Sequence, residues 1–267
     1  MKAVIETQEQ DPATSIGSLV TIILMNLWAY PLLILLTVVG VLVFPLGFAY
    51  GRLLLRWPAD RLTRWAIWFY GRCWLMMMRP FVRFERQQME LLEVDKPYLF
   101  VINHLSFFDT FCMALLPIYN IAFAVRSWPF RMFWYRKFMY LARYLDVEAG
   151  RWDDNLASSK ATFAATGSVL FFPEGHRSRD GYLQRFYSGG FKVAVTAGVA
   201  VVPLCIVGTD HLLPPGRKLM RPCRISLRVL KPIDTARFDV EGGHMQLRKL
   251  VKGKIEKNLA EMREEKY

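Results

Sequence analysis

Between Pro12 and Gly51 the chain contains no Asp, Glu, Lys, Arg or His. So long an apolar run is more than a soluble domain leaves exposed. Drawn out as one straight helix, Ile16 to Tyr50 would be roughly 50 Å long, against a bilayer hydrocarbon core of about 30 Å. One upright span therefore does not use it all. Pro31, Gly40, Pro45 and Gly47 offer breaks. Residues 16–51 are expected to form either a helical hairpin that re-enters its own leaflet or one span with a kinked continuation. Residues 1–15 read as a polar tail. With Glu6, Glu9 and Asp11 they lack the basic start of a signal peptide, and the apolar run is too long for one.

Arg52, Arg56, Arg61, Arg64, Arg72, Arg79, Arg83 and Arg86 follow, interleaved with Trp57, Trp65, Trp68 and Trp74. Flanking arginine favours the cytoplasmic side and tryptophan the headgroup zone, so residues 52–86 are expected to form a basic, aromatic interfacial helix. The expected location is the cytoplasmic face of a membrane, a bacterial inner membrane in particular. A formal charge of +12 calls for an anionic partner. Arginines with aromatics also suit single-stranded nucleic acid, but the adjoining lipid-soluble segment favours anionic membrane lipids and argues against nucleic acid. Cys73, Cys112, Cys205 and Cys223 form no CxxC pair and read as reduced thiols.

Residues 87–267 change character. "YLFVIN" (98–103), "IAFAV" (121–125), "SVLFFP" (168–173), "VAVVPLCIV" (199–207) and "RISLRVLKPI" (224–233) read as strands. Helical patterns lie between them at 108–116, 153–166 and 189–198, and a charged closing helix runs from about His244 to Lys266. The alternation predicts an α/β fold with a mainly parallel sheet flanked by helices, behind one hydrophobic helical membrane element.

In such sheets chemistry collects in the loops at the carboxyl ends of strands, and two loops qualify. In "VINHLSFFDT" (101–110), Ser106 and Asp109 fit a capping box in which the serine caps a helix. His104 then lies in the preceding loop, and Asp109 can reach back to its imidazole. A carboxylate that holds one ring nitrogen leaves the other free to take a proton from an alcohol. In "FFPEGHRSRDG" (171–181), Arg177 and Arg179 suit a phosphate, which a guanidinium grips with two parallel hydrogen bonds.

Together, "NHLSFFD" (103–109) and "FPEGHRS" (172–178) resemble the paired motifs of the 1-acylglycerol-3-phosphate acyltransferase family of glycerolipid acyltransferases. Asn103, His104, Ser106 and Asp109 complete the first motif, and His176 stands where the family usually has threonine. "RFYSGG" (185–190) resembles a further element through Phe186 and Gly189, and Pro203 in "VAVVPL" resembles the fourth block. "LDVEAGR" offers Arg151 but lacks the usual preceding pattern. The resemblance implies that His104, oriented by Asp109, deprotonates a lysophospholipid hydroxyl for direct attack on an acyl thioester. Arg177, with Arg151 and Arg179, would hold the acceptor phosphate, Glu174 and Gly175 would shape that pocket with Ser178 also in the substrate-binding set, and Pro173 supports the motif. It implies no cofactor and no metal, with acyl-CoA or acyl carrier protein as donor. The alternatives are another lysolipid headgroup, a basic binding protein, or an ester or thioester hydrolase; no G-x-S-x-G elbow supports the last.

Overall fold

The computed structural model describes residues 16–178, 180–214 and 216–265; the polar tail 1–15 and Arg179 lie outside the described residues. The elements in chain order are α1 (Ile16–Leu53), α2 (Ala59–Met78), β1 (Val82–Gln87), β2 (Leu99–Ile102), α3 (Asp109–Cys112), β3 (Ile121–Val125), α4 (Trp128–Arg131), α5 (Phe133–Leu141), β4 (Leu145–Asp146) and α6 (Trp152–Ala164). They continue with β5 (Ser168–Phe171), α7 (Gly189–Ala197), β6 (Val201–Val207), α8 (Thr209–Leu212), β7 (Cys223–Val229) and α9 (Gly243–Glu264).

The seven strands form one sheet in the order β1-β7-β6-β2-β5-β3-β4. Every pair is parallel except β6 with β7, so the expected α/β class holds. The two-residue period of a strand divides the core between the sheet's faces. In β2, Phe100 and Ile102 join a cluster with Met25, Trp74 and Met78, beneath α1 and α2. Leu99 and Val101 join the opposite cluster, with Phe191 of α7 and Leu247, Val251 and Ile255 of α9. All four cysteines are free thiols. Burial pushes the thiol of Cys205 up to about 12, which keeps it in its unreactive protonated form.

The apolar segment does not form the expected helical hairpin. α1 is one unbroken helix of 38 residues with Pro31 and Pro45 inside it. The reversal comes after it, at 54–58, where Trp57 N–H donates to Gly51 O (3.1 Å) and Arg56 takes φ 53°. α2 then runs back along α1 and braces it: Thr37 Oγ1 meets Tyr70 OH at 2.8 Å, and Trp28 Nε1 donates to Met77 O at 3.0 Å. A packed neighbour along the helix offsets the backbone hydrogen bonds that the prolines remove.

The basic stretch 52–86 also differs from a continuous interfacial helix. Arg52 and Leu53 end α1, a second helix covers only 59–78, and several arginines turn inward. Arg64 is buried and donates to Ala142 O and Asn120 Oδ1; Arg61 donates to Tyr119 OH. Burial lowers the pKa of Arg64, and Asp60 opposes that shift. The end of the stretch is the edge strand β1, where Val82 is buried and Phe84 half-buried.

The first half of α1 is latched to the domain by Asn26. Its amide donates to Met220 O (2.8 Å) and accepts from Met220 N–H (2.9 Å), like one rung of a β-ladder. Asn26→Ala leaves a buried N–H and C=O unsatisfied, which costs about 1–3 kcal/mol. The expected outcome is faster amide exchange at Met220 and a lower unfolding midpoint in detergent. Unchanged exchange at Met220 would show that the latch contributes nothing.

Candidate active site

The strand order brings together loops that are distant in sequence. β2, β5 and β3 are consecutive and parallel. Their carboxyl ends therefore lie side by side and deliver His104, the 172–178 loop and Arg126 to one edge of the sheet. Just past β2, the buried side chain of Asn103 bonds Ile206 N–H and Ile206 O, both at 2.9 Å, and carries the β2–β6 ladder one residue further. The loop from His104 starts from that fixed point.

Asp109 is fully buried. Its Oδ2 lies 2.7 Å from His104 Nδ1 and accepts the backbone N–H groups of Leu105 (2.7 Å) and Ser106 (2.9 Å). With Nδ1 donating to the carboxylate, the lone pair sits on Nε2. The imidazole also packs on Phe172, with ring centroids 4.2 Å apart. Half of the expected capping box is present, since Asp109 takes the Ser106 N–H. The other half is not: α3 begins only at Asp109 without a side-chain cap, and Ser106 Oγ points to Leu213 O at 3.4 Å.

Glu174 is 1 % exposed, and its two oxygens join separate loops. Oε1 accepts His104 N–H and Oε2 accepts Gln184 N–H, both at 2.8 Å. Burial pushes this carboxyl up, while the two N–H donors favour its ionised form. Ser178 N–H donates to His104 O at 2.8 Å, a second bond between the motifs. Gly175 takes φ +72°, and a Cβ there would lie 3.0 Å from the Tyr187 ring, so the turn favours glycine twice over.

His104 opens onto a cavity of about 460 Å³. Its walls are apolar, with Trp68, Phe107, Phe111, Ile118, Phe123 and Met139 among them, and Arg126, His176 and Arg177 line it as well. It lies between α2, β3 and α5. Among the described residues the Arg177 guanidinium has no hydrogen-bond or ion-pair partner. Arg126 is held by Glu148, whose Oε1 accepts its Nε at 2.5 Å and whose Oε2 accepts Ser127 N–H at 2.9 Å. Among the described residues no cluster of His, Cys, Asp or Glu could hold a metal ion.

The other expected residues have different placements. Ser178 is buried, with Oγ 2.8 Å from both Asp180 Oδ1 and Tyr182 O, so its hydroxyl serves the loop instead of a ligand. Arg151 is exposed at the N-terminus of α6 and is not among the cavity walls. Arg179 lies outside the described residues. Pro173 O accepts Tyr187 N–H at 2.8 Å, Phe186 stacks on Phe191, and Pro203 sits inside β6 opposite Val101. Gly189 opens α7 with free space around it; the close approach is at Gly190, where a Cβ would lie 2.3 Å from the Phe171 ring. Arg126 was missed because only the pairing of β3 with β5 brings it to the site.

A family model described as "Acyltransferase" matches residues 83–207, a span that holds both motif loops. The chain is 30% identical over 178 residues to the 1-acyl-sn-glycerol-3-phosphate acyltransferase LPAT1, chloroplastic, of Arabidopsis thaliana, covering 64% of this chain and 50% of the relative. It is 29% identical over 123 residues to the 1-acyl-sn-glycerol-3-phosphate acyltransferase of Salmonella typhimurium, covering 42% and 48%. The chain thus spans about half the length of the curated relatives it matches. The crystal structure of the acyltransferase PlsC from Thermotoga maritima superimposes with a TM-score of 0.66 at 24% identity, covering 86% of this chain and 95% of that one, a likeness of fold. The matched span holds both loops that build the dyad and its clamp, and over it the chain is similar to these 1-acyl-sn-glycerol-3-phosphate acyltransferases.

Proposed function

We propose that this chain transfers a fatty acyl group from an acyl thioester to a hydroxyl of a membrane lysophospholipid, with 1-acylglycerol-3-phosphate as the acceptor. The observation that carries the reading is a His–Asp pair, with Nε2 left as proton acceptor, that opens onto an apolar cavity also lined by arginines. The acceptor hydroxyl gives its proton to Nε2 of His104, and its oxygen attacks the thioester carbonyl. Collapse of the tetrahedral intermediate expels the thiolate, which takes the proton back from the imidazolium. The ester C–O bond forms as the C–S bond breaks, and no acyl-enzyme intervenes. Asp109 holds the ring in the required tautomer throughout.

The cavity walls suit an acyl chain, and the arginines suit the acceptor phosphate. Among the described residues the Arg177 guanidinium has no partner, and Glu148 fixes Arg126 through Nε, which leaves its terminal nitrogens available.

The same reading places the protein in one leaflet. α1 is long and apolar enough to cross a bilayer, with a mean hydropathy of 2.7 over its most apolar 18 residues. Yet it is joined to the domain from Asn26 to Gly51, so an upright span would draw the domain into the membrane with it. Lying along the surface, α1 would bury the exposed Leu24, Leu27, Leu42 and Leu46, together with Trp65 and Phe69 of α2. Phe44 packs on Phe138 of α5, beside the cavity, which supports a cavity at lipid depth.

His104→Ala should reduce acyl transfer by about 10²- to 10⁴-fold with the protein still folded and membrane-bound. Asp109→Asn should cost a similar order, although asparagine can still accept the Leu105 and Ser106 N–H groups. Normal turnover by either purified variant would remove the dyad from the mechanism.

Arg177→Lys keeps the charge but loses the planar fork. The apparent affinity for lysophosphatidate should fall by about tenfold, the size of one charge-assisted hydrogen bond, with little change for the thioester. A defect confined to the thioester would place Arg177 elsewhere.

Leu27→Glu with Leu42→Glu puts two charges on the exposed face of α1 without touching the core. High salt should leave wild type on membranes and release the double variant, whose activity should fall more on bilayer-embedded acceptor than on a short-chain, water-soluble one. Retention of the double variant in the membrane fraction would show that this face is not the anchor.

A further inference from the structure

A second concave site lies on the other side of the sheet. Arg185 and Phe186, just before α7, and Met245, Arg248, Lys249 and Lys252 of α9 line an open groove of about 540 Å³. Four of its lining residues are cations, and among the described residues no carboxylate lines it. Such a concentration of one charge on concave walls is costly unless an anion is gathered there. Arg248 Nη1 donates to Phe186 O, which fixes α9 against the 184–186 segment. The groove is also mechanically close to the reaction: Glu174 accepts both His104 N–H and Gln184 N–H, and Gln184 precedes Arg185.

Membrane headgroups do not fit this place. α7 and α9 pack on the sheet face opposite to α1 and α2. With α1 in the leaflet, the groove faces water. Its occupant must be a soluble polyanion that reaches the site from that side. A folded acidic protein meets its partner across a broad surface of about 800 Å², whereas a concave groove of this volume is the size of a small-molecule site. Closely spaced cations in a groove suit clustered phosphates more than the spread carboxylates of a protein.

We infer that this groove binds the phosphorylated nucleotide end of acyl-coenzyme A, the thioester donor of the reading above, on which the inference rests. Arg185, Arg248, Lys249 and Lys252 hold the phosphates. The flexible pantetheine arm then crosses the Glu174-clamped crest to place the thioester at His104.

The test uses the full-length protein in nanodiscs, with Lys249→Gln and Lys252→Gln singly and together. Each lysine lost should raise the KM for acyl-coenzyme A about tenfold, with kcat at saturating donor and the KM for lysophosphatidate unchanged. Adenosine 3′,5′-bisphosphate should bind wild type, compete with the donor, and lose affinity by the same factor in each variant. Equal binding of this nucleotide by wild type and double variant would overturn the inference, as would a donor KM that moves less than twofold. Loss of acyl carrier protein use, with the nucleotide inert, would assign the groove to a protein instead and overturn it as well. Nucleotide binding is read without turnover, so a wild type that binds it but transfers no acyl group would overturn the proposed function and leave the groove standing.

Discussion

The site depends on one buried carboxylate. Glu174 sits between two loops, and each of its oxygens takes one backbone N–H, from His104 and from Gln184. An ionised carboxylate with no partner in such a place would be prohibitively costly, and with two donors it becomes a fixed strut. It holds the loop after β2 and the loop after β5 as one body, with Ser178 N–H on His104 O as a second tie. The imidazole, Phe172 beneath it and Arg177 beyond it all keep their positions relative to that strut.

The sheet then separates two environments. Alternate residues of β2 feed opposite cores: Phe100 and Ile102 face α1 and α2, and Leu99 and Val101 face α7 and α9. On the first side lie the apolar cavity and the outward leucines of α1. On the second lies the basic groove. The histidine stands on the seam between the two, at the carboxyl ends of the strands.

How much of this was readable in the sequence follows from how local each interaction is. The dyad was legible because His104, Leu105, Ser106 and Asp109 make their contacts within one short stretch. β3 and the central strands were legible because buried parallel strands read as continuous apolar runs. β1 was not, since "VRFERQ" carries three charges and its partner β7 lies far along the chain. Arg126 reaches the cavity only through strand order, which no local pattern encodes. The chain reversal was sought at prolines inside the apolar run, whereas α1 continues through them and the turn falls after Leu53. The arginines of α2 were assigned to headgroups because charge is visible in a sequence and burial is not; Arg64 is in the core.

The compactness of the dyad has a consequence for how such a scaffold can diversify. His104, its aspartate and the two backbone donors that orient it are closed within residues 104–109. Phe107 within that stretch and Phe111 just after it line the cavity, but much of the wall comes from α2, β3 and α5, on separate stretches of chain. Side chains such as Ile118, Phe123 or Met139 can therefore be enlarged or pared to reshape the cavity while the His104–Asp109 geometry stays as it is. Selectivity and reactivity can drift independently, and a library confined to those walls would sample new chain shapes without re-solving the chemistry.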